Sequence, residues 1–204
     1  MKFITPVLLL LIILSGCSRE ESGQLDRTVR INIATEPETL DPTLMRGHPE
    51  FKLAMGLMEG LVKLGEDGEP VPAGASSWEV NEDFTRWTFQ LRPEAKWHNG
   101  DAVTAHDYVY SARRICTSSV AAPYAAMVYT FLEGGEEYYE AGGMDSGAEL
   151  PGVRAVDDYT LEYVLANPTP FFGSVIHLFS WLPINRKVVE EHGGKWALSP
   201  ETFV

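Results

Sequence analysis

The side chains best suited to metal or nucleophilic chemistry are five histidines and two cysteines. Zinc sites usually hold such ligands at short spacings, as in H-E-x-x-H or C-x-x-C, and none of these residues stands in such a pair. The sequence also lacks a G-x-S-x-G nucleophile elbow, a P-loop and a G-x-G-x-x-G motif after a strand. We therefore expect no metal, no cofactor and no catalytic centre.

Carboxylates are numerous, and a pair of them could serve as general acid and general base. Several aspartates occur in turn or cap contexts, where hydrogen bonds to the local backbone account for them: Asp83, Asp101, Asp107, Asp157 and Asp158. Sequence spacing leaves a glycosidase-like pair open, because separation in space decides that chemistry. A protein that is not an enzyme is expected, with an envelope hydrolase as the distant alternative.

The overall charge limits the classes of partner. The formal net charge is −13, and 45% of the residues are hydrophobic. An acidic surface disfavours binding to nucleic acid and to anionic lipid headgroups. The hydrophobic fraction is sufficient for a sizeable core. We therefore expect a folded protein that does not bind nucleic acid.

The N-terminus has the pattern of a secretory signal peptide. Lys2 precedes an apolar run at 7–14, which is shorter than the roughly 20 residues that span a bilayer. Residues 14–17 (LSGC) resemble the lipobox of bacterial lipoproteins, which implies cleavage before Cys17 and a lipid on its sulfur. We expect residues 1–16 to be removed, 17–28 to form a polar tether, and Cys17 to anchor the protein to a membrane surface.

Two further features concern the remaining cysteine and the C-terminus. With Cys17 lipidated, Cys116 has no disulfide partner, and a buried inert thiol is expected. The chain stops on Phe203 and Val204 without a capping residue or polar tail, which favours a truncated chain.

Hydrophobic periodicity predicts the elements that position these residues. Apolar and polar residues alternate through 86–91, and the turn residues at 81–83 predict a β-hairpin. Thr104 followed by Asp107 predicts the start of a helix. In all, strands are predicted at 29–33, 78–80, 86–91, 153–156 and 160–165, and helices at 50–61, 104–114, 171–178 and 186–192. This order indicates a mixed α/β fold, with Trp78, Trp87 and Trp97 interpreted mainly as core residues.

A series of short motifs resembles a known family. They are residues 34–42 (ATEPETLDP), 58–61 (MEGL), 72–78 (PAGASSW), 87–92 (WTFQLR), 95–97 (AKW), 99–101 (NGD), 103–105 (VTA) with 107–110 (DYVY), 123–125 (PYA), Val153 with 155–158 (AVDD) and 160–162 (TLE), and 168–172 (PTPFF). In this order the motifs resemble the bacterial extracellular solute-binding proteins of family 5, the oligopeptide-binding components of ABC importers. The resemblance covers nearly all of 30–204. Chains of this family are much longer, which also favours truncation.

The resemblance implies a periplasmic-binding-protein-like α/β fold of class II, with two lobes and an extra subdomain on the first lobe. Residues 29–58 and 186–204 would belong to lobe I and residues 59–185 to the extra subdomain, while lobe II would lie beyond Val204. The ligand would be held between lobes that close by a hinge motion.

The implied function is that of a monomeric lipoprotein, periplasmic or on the cell surface, which captures oligopeptides for an ABC permease of the inner membrane. Peptides would bind extended, through main-chain hydrogen bonds. The residues implied to contact the ligand are Leu44, Met45, Arg46, Gly47, His48 and Tyr124. Many oligopeptide binders carry an acidic residue at the position of Arg46, which leaves the preferred ligand charge open.

Other interpretations of the same residues remain open. Arg46 and His48 could be ordinary exposed surface residues, and Tyr124 could pack in the core, because an aromatic residue after proline suits a packed corner. Within the family, the ligand could instead be a dipeptide, a nickel complex, a sugar or a signalling peptide. A purely structural lipoprotein is a more distant alternative.

Overall fold

An antiparallel sheet packed against one long helix forms the centre of the structure. The computed structural model describes residues 30–204, of which 33–204 form one compact unit. The predicted signal peptide, the tether and Cys17 lie outside the described residues. Within residues 30–204, no helix is both long enough and apolar enough to cross a membrane.

Residues 30–204 contain five α-helices and six β-strands. In chain order they are α1 (His48–Leu57), β1 (Val62–Leu64), β2 (Pro70–Pro72), β3 (Ala75–Val80), β4 (Arg86–Leu91), α2 (Ala105–Ile115), α3 (Ala126–Tyr129), α4 (Gly135–Glu140), β5 (Val153–Asp157), β6 (Thr160–Val164) and α5 (Arg186–His192). Short 3₁₀ helices lie at Ser118–Val120, Gly143–Ser146, Phe172–Ser174, Phe179–Trp181 and Gly193–Lys195.

The four-stranded sheet has the order β3-β4-β6-β5, with every neighbouring pair antiparallel. In β4, Trp87, Phe89 and Leu91 are buried. The residues between them point to the opposite face, which confirms the alternation read from the sequence. The predicted hairpin is present, although β3 begins at Ala75 and is longer than predicted. The second predicted hairpin, β5 with β6, is also confirmed.

Helix α2 covers the buried face of this sheet and begins where the sequence predicts. Asp107 Oδ2 accepts the Thr104 N–H at 2.8 Å and the Thr104 hydroxyl at 3.1 Å, so the two residues fix the first turn together. Tyr108 and Ile115 are buried against the sheet. Cys116, directly after α2, is buried as predicted, and this burial raises the pKa of its thiol to about 12.

An aromatic cluster fills the space between the sheet and the segment after β6. Phe172 has its ring centroid 5.5 Å from Trp87, 5.8 Å from Tyr163 and 5.2 Å from Trp181, each in an edge-to-face arrangement. Trp87 is therefore a core residue, as predicted. Trp78 is only half-buried, with its ring 6.2 Å from that of Phe89.

Two predicted elements are wrong. Residues 30–33 form no strand, and Ile31 is 52% exposed, because alternation of apolar and polar residues is a local signal that the tertiary environment can override. The helix predicted at 171–178 is absent, and short 3₁₀ helices take its place. Its backbone bonds are mostly of the i to i+3 type, such as Val175 N–H to Phe172 O at 2.9 Å. Glycine and β-branched residues in this segment have low helix propensity.

The helix predicted at 50–61 also has different bounds. Helix α1 ends at Leu57, and Met58 is already extended, with φ −124° and ψ 157°. Leu61 lies beyond the helix, where its carbonyl accepts the N–H groups of Ala73 and Ala75 at 3.2 and 2.9 Å. The helical spacing of apolar residues extended to Leu61 because Leu61 is also buried, but in the large core between α2 and the sheet and not on a face of α1.

Smaller hydrophobic clusters join the two ends of the described chain. Met45 and Ala54 pack with Leu182 in one cluster. The other buries Ile184, Val188, Val189, Trp196 and Ala197 together with Tyr110 of α2, and Leu40, Met58, Phe203 and Val204 pack against it. The segments before β1 and after Trp181 are thus held against each other and against α2.

The first turn of α1 is fixed by a buried carboxylate. Glu50, the third residue of the helix, accepts the Glu38 N–H at 3.0 Å and is 5% exposed. Backbone N–H groups of Glu38, of Glu50 itself and of Gly47 lower the pKa of this carboxyl below its ordinary value. The ionised form is therefore preferred in the folded protein.

We predict that Glu50→Gln lowers the free energy of unfolding at pH 7 by about 1–2 kcal/mol, since the charged acceptor of these N–H groups is lost. Because the folded pKa is depressed, the contribution is complete above the ordinary glutamate value of about 4.3 and disappears as the pH falls through the folded pKa. Urea unfolding at several pH values measures this difference. Glu66→Gln, in the exposed turn between β1 and β2, is the control. A Glu50→Gln deficit independent of pH would contradict the assignment.

Candidate functional site

Asp41 shapes the loop that carries the predicted ligand-contacting residues. Its carbonyl accepts the N–H groups of Leu44 and Met45 at 2.9 and 3.1 Å, and its Oδ1 accepts the Thr43 N–H at 3.0 Å. Its own N–H donates to the Thr39 hydroxyl at 3.0 Å. These bonds close a turn over 41–45. The turn fixes the direction in which the main chain enters the loop formed by residues 44–48.

The Asp41 carboxylate is also the centre of a buried ionic cluster. Arg114, in the last turn of α2, donates from its two terminal nitrogens to Oδ1 at 2.9 Å and to Oδ2 at 2.7 Å. The indole N–H of Trp196 donates to Oδ2 at 3.1 Å. Asp41 is 1% exposed and Arg114 8% exposed. We call these residues the Asp41–Arg114–Trp196 cluster.

The structure places the predicted site residues in one region but in different environments. In the 44–48 loop, Arg46, Gly47 and His48 are exposed and Leu44 is half-buried. The Met45 side chain is 1% exposed and packs against Ala54 and Leu182. Any contact between Met45 and a ligand would therefore be made by its main chain.

Tyr124 comes to the same loop from a distant part of the sequence. Its hydroxyl donates to the carbonyl oxygen of Arg46 at 3.2 Å. Its ring stands edge-on to Phe179, with centroids 5.1 Å apart, and the ring of Phe51 in α1 is also edge-on to Phe179, with centroids 5.8 Å apart. Tyr124 is half-buried: its ring packs against Phe179, and its hydroxyl is hydrogen-bonded to the loop.

The main chain of the loop has unused hydrogen-bonding groups. The backbone at Gly47 is extended, with φ −131° and ψ 174°. Within residues 30–204, the N–H groups of Arg46 and His48 and the carbonyl of Leu44 make no hydrogen bond. Free main-chain donors and acceptors at exposed positions can pair with the main chain of an extended peptide.

Several residues of this site were missed by sequence reasoning. Phe51 and Phe179 support Tyr124, Glu50 fixes the helix that follows the loop, and Arg114 fixes the turn that precedes it. Only Glu50 had a local signal, because a glutamate at the third helical position suits the free N–H groups of a helix start. The others depend on contacts between remote segments.

A separate cavity of about 410 Å³ shares no residue with the 44–48 loop or Tyr124. Trp97 and His98 line it, together with Lys96 and the ion pair formed by Arg92 and Glu59. In the part of the chain that the structure describes, no three His, Cys, Asp or Glu side chains come together as metal ligands would.

Comparisons with known proteins agree with this architecture. Residues 69–203 match the profile of the bacterial extracellular solute-binding proteins, family 5 Middle. The chain is 42% identical over 187 residues to the periplasmic oligopeptide-binding protein OppA of Haemophilus influenzae, covering 90% of this chain and 34% of that protein. It is 37% identical over 179 residues to the dipeptide-binding protein DppE of Bacillus subtilis, covering 88% and 32%.

A solved structure is similar over most of the described chain. It is the crystal structure of Haemophilus influenzae OppA in complex with RPPGFSPFR, with a TM-score of 0.78 and 41% identity, covering 84% of this chain and 33% of that one. This similarity confirms the predicted mixed α/β fold of the periplasmic-binding-protein type. The chain spans about one third of the length of the curated relatives it matches. The chain belongs to the bacterial extracellular solute-binding proteins of family 5.

Proposed function

We propose that this chain is the N-terminal portion of a solute-binding protein that captures oligopeptides for an ABC importer. The main support for this proposal is the 44–48 loop, which is exposed at Arg46, Gly47 and His48, is extended at Gly47, and has a free N–H at Arg46 and at His48 and a free carbonyl at Leu44, close to the Tyr124 hydroxyl. A bound peptide would pair its backbone with this segment like an added strand. Because such bonds do not depend on side chains, many peptide sequences would be accepted.

The relatives support a peptide as the ligand. OppA of Haemophilus influenzae is named for oligopeptide binding, and its solved structure contains the peptide RPPGFSPFR. The similarity to DppE, which is named for dipeptide binding, makes a dipeptide the second candidate. Main-chain hydrogen bonds to the 44–48 loop could form with either ligand. Residues outside this loop would therefore decide which peptide length is bound.

We also propose the division of the chain into parts of two substructures. Residues 29–58 and 186–204 would form part of lobe I and residues 59–185 the extra subdomain. The large core between α2 and the sheet takes its members from Leu61 to Trp181, whereas the smaller clusters draw mainly on residues 40–58 and 182–204. The second lobe would be supplied by the rest of the protein and would close over the peptide.

The remaining proposals concern location and partners. Cys17 would carry the lipid that anchors the protein to the membrane, in the periplasm or on the cell surface. The monomeric protein would deliver peptides to the permease subunits in the inner membrane. The lipobox-like sequence at 14–17 supports the anchor.

The full-length protein that contains this chain should bind a mixed pool of tri- to pentapeptides in calorimetry. Tyr124→Ala should weaken the apparent affinity about tenfold or more, because the Arg46 carbonyl loses its hydroxyl donor and the loop loses its side support. The melting temperature should change little.

Tyr139→Ala is the matched control, since Tyr139 is also half-buried but stacks on Tyr129, with ring centroids 4.7 Å apart. Its affinity for the peptide pool should equal that of the unmodified protein. Absence of heat with every peptide would argue against the proposed function, and a large loss of melting temperature with unchanged affinity would make Tyr124 purely structural.

Replacing Cys17 with serine should remove lipid labelling and release the full-length protein from the membrane fraction. Radiolabelled fatty acid incorporation and fractionation of cells measure the two effects. The control is Cys116→Ser, which removes the buried thiol and should leave the labelling intact. Labelling that persists in Cys17→Ser would refute the anchor.

A further inference from the structure

The Asp41–Arg114–Trp196 cluster joins three segments that are far apart in the sequence. Arg114 is 73 residues from Asp41, and Trp196 is 155 residues from it. Every polar atom of Asp41 is engaged: the carboxylate by Arg114, Trp196 and the Thr43 N–H, the carbonyl by two loop N–H groups, and the N–H by Thr39. Such a fully satisfied aspartate has one orientation compatible with its surroundings.

The two oxygens of Asp41 are distinguished by their partners. Oδ1 receives Arg114 and the Thr43 N–H, while Oδ2 receives Arg114 and the Trp196 indole. The planar guanidinium fork matches a carboxylate in one plane only, which a lysine ammonium cannot reproduce. Rotation of the carboxylate would therefore break bonds to the loop and to the fork together.

The orientation of Asp41 determines the position of the 44–48 loop through a short series of contacts. The Thr43 N–H on Oδ1 and the Leu44 and Met45 N–H groups on the Asp41 carbonyl define the turn. Met45 then inserts its side chain beside Ala54 and Leu182. The carbonyl of the next residue, Arg46, accepts a hydrogen bond from the Tyr124 hydroxyl. The free carbonyl of Leu44 and the free N–H of Arg46 therefore lie next to residues that Asp41 and the buried Met45 side chain hold in place.

We infer that Arg114 and Trp196 are positioning residues for the peptide site. They hold the Asp41 carboxylate so that the 44–48 loop presents its free main-chain groups in one geometry, and neither touches the ligand. This inference rests on the proposed function for the identity of the ligand. The placement of the loop is a property of the described chain itself.

Because the cluster is buried, its effect on the position of the loop should be larger than its effect on the stability of the protein. A buried ion pair gains little net stability over apolar residues of the same volume, because desolvation offsets the attraction between the charges. The geometry of the site is demanding, however, because each main-chain hydrogen bond to a peptide needs a donor–acceptor distance of about 2.7–3.2 Å and is worth roughly 1 kcal/mol. Variants that keep the charge but lose the fork should therefore affect binding more than folding.

The test uses the full-length protein with Arg114→Lys and, as a milder change, Trp196→Phe. The matched control is Glu162→Gln, which disturbs a different buried carboxylate, one that pairs with Arg154 at 2.7 Å and Arg86 at 3.7 Å on the sheet. Calorimetry with the mixed tri- to pentapeptide pool gives the apparent affinity. Amide hydrogen exchange at Thr43, Leu44 and Met45 reports the order of the turn in the absence of ligand.

We expect Arg114→Lys to weaken the apparent affinity about ten- to a hundredfold, as loss of up to three main-chain hydrogen bonds would, and Trp196→Phe to weaken it less, both with faster exchange at the three amides. Glu162→Gln should change neither. Unchanged exchange in both cluster variants would overturn the inference, and so would faster exchange with unchanged affinity. If the unmodified protein binds no peptide, the proposed function fails, while faster exchange would still support placement of the loop by Arg114 and Trp196.

Discussion

The bidentate pair between Asp41 and Arg114, completed by the Trp196 indole, is the constraint on which the rest of the site depends. It ties the loop after the N-terminal segment to the last turn of α2 and to the chain after α5. Removing one partner of such a pair would leave a buried charge without compensation, which typically costs about 3–5 kcal/mol. The guanidinium also stands at the C-terminal end of α2, where the helix dipole favours a positive charge. The Asp41–Arg114–Trp196 cluster thus joins three segments that also share the smaller hydrophobic clusters.

The folded core and the candidate site lie in different parts of the described chain. The four-stranded sheet, α2 and the aromatic cluster around Phe172 pack together as two layers around one hydrophobic core. The 44–48 loop lies outside this core. The buried Met45 side chain and the hydrogen bond from the Tyr124 hydroxyl to the Arg46 carbonyl hold it in place. The folded core thus supports a short loop that is exposed at Arg46, Gly47 and His48 and has three free main-chain groups, which suits the proposed role in binding.

Sequence reasoning recovered the elements whose signals are local. The alternation in 86–91 and the capping pair of Thr104 with Asp107 each require only a few neighbouring residues, and both are confirmed. The strand expected at 29–33 and the helix expected at 171–178 failed, because pairing and packing partners decide such segments. The Asp41–Arg114–Trp196 cluster had no sequence signal, since neither charge nor spacing relates residues so far apart. The candidate loop and Tyr124 came from the family resemblance, and their ligand role stays a prediction.

The proposed pairing of a peptide main chain with the 44–48 loop can be seen in a crystal structure of the full-length protein with a bound peptide. We expect peptide N–H and carbonyl groups within hydrogen-bonding distance of the main chain at Leu44, Arg46 or His48, with Tyr124 at the edge of the ligand. A peptide seated in the cavity beside Trp97 and His98, with the 44–48 loop still facing solvent, would contradict it.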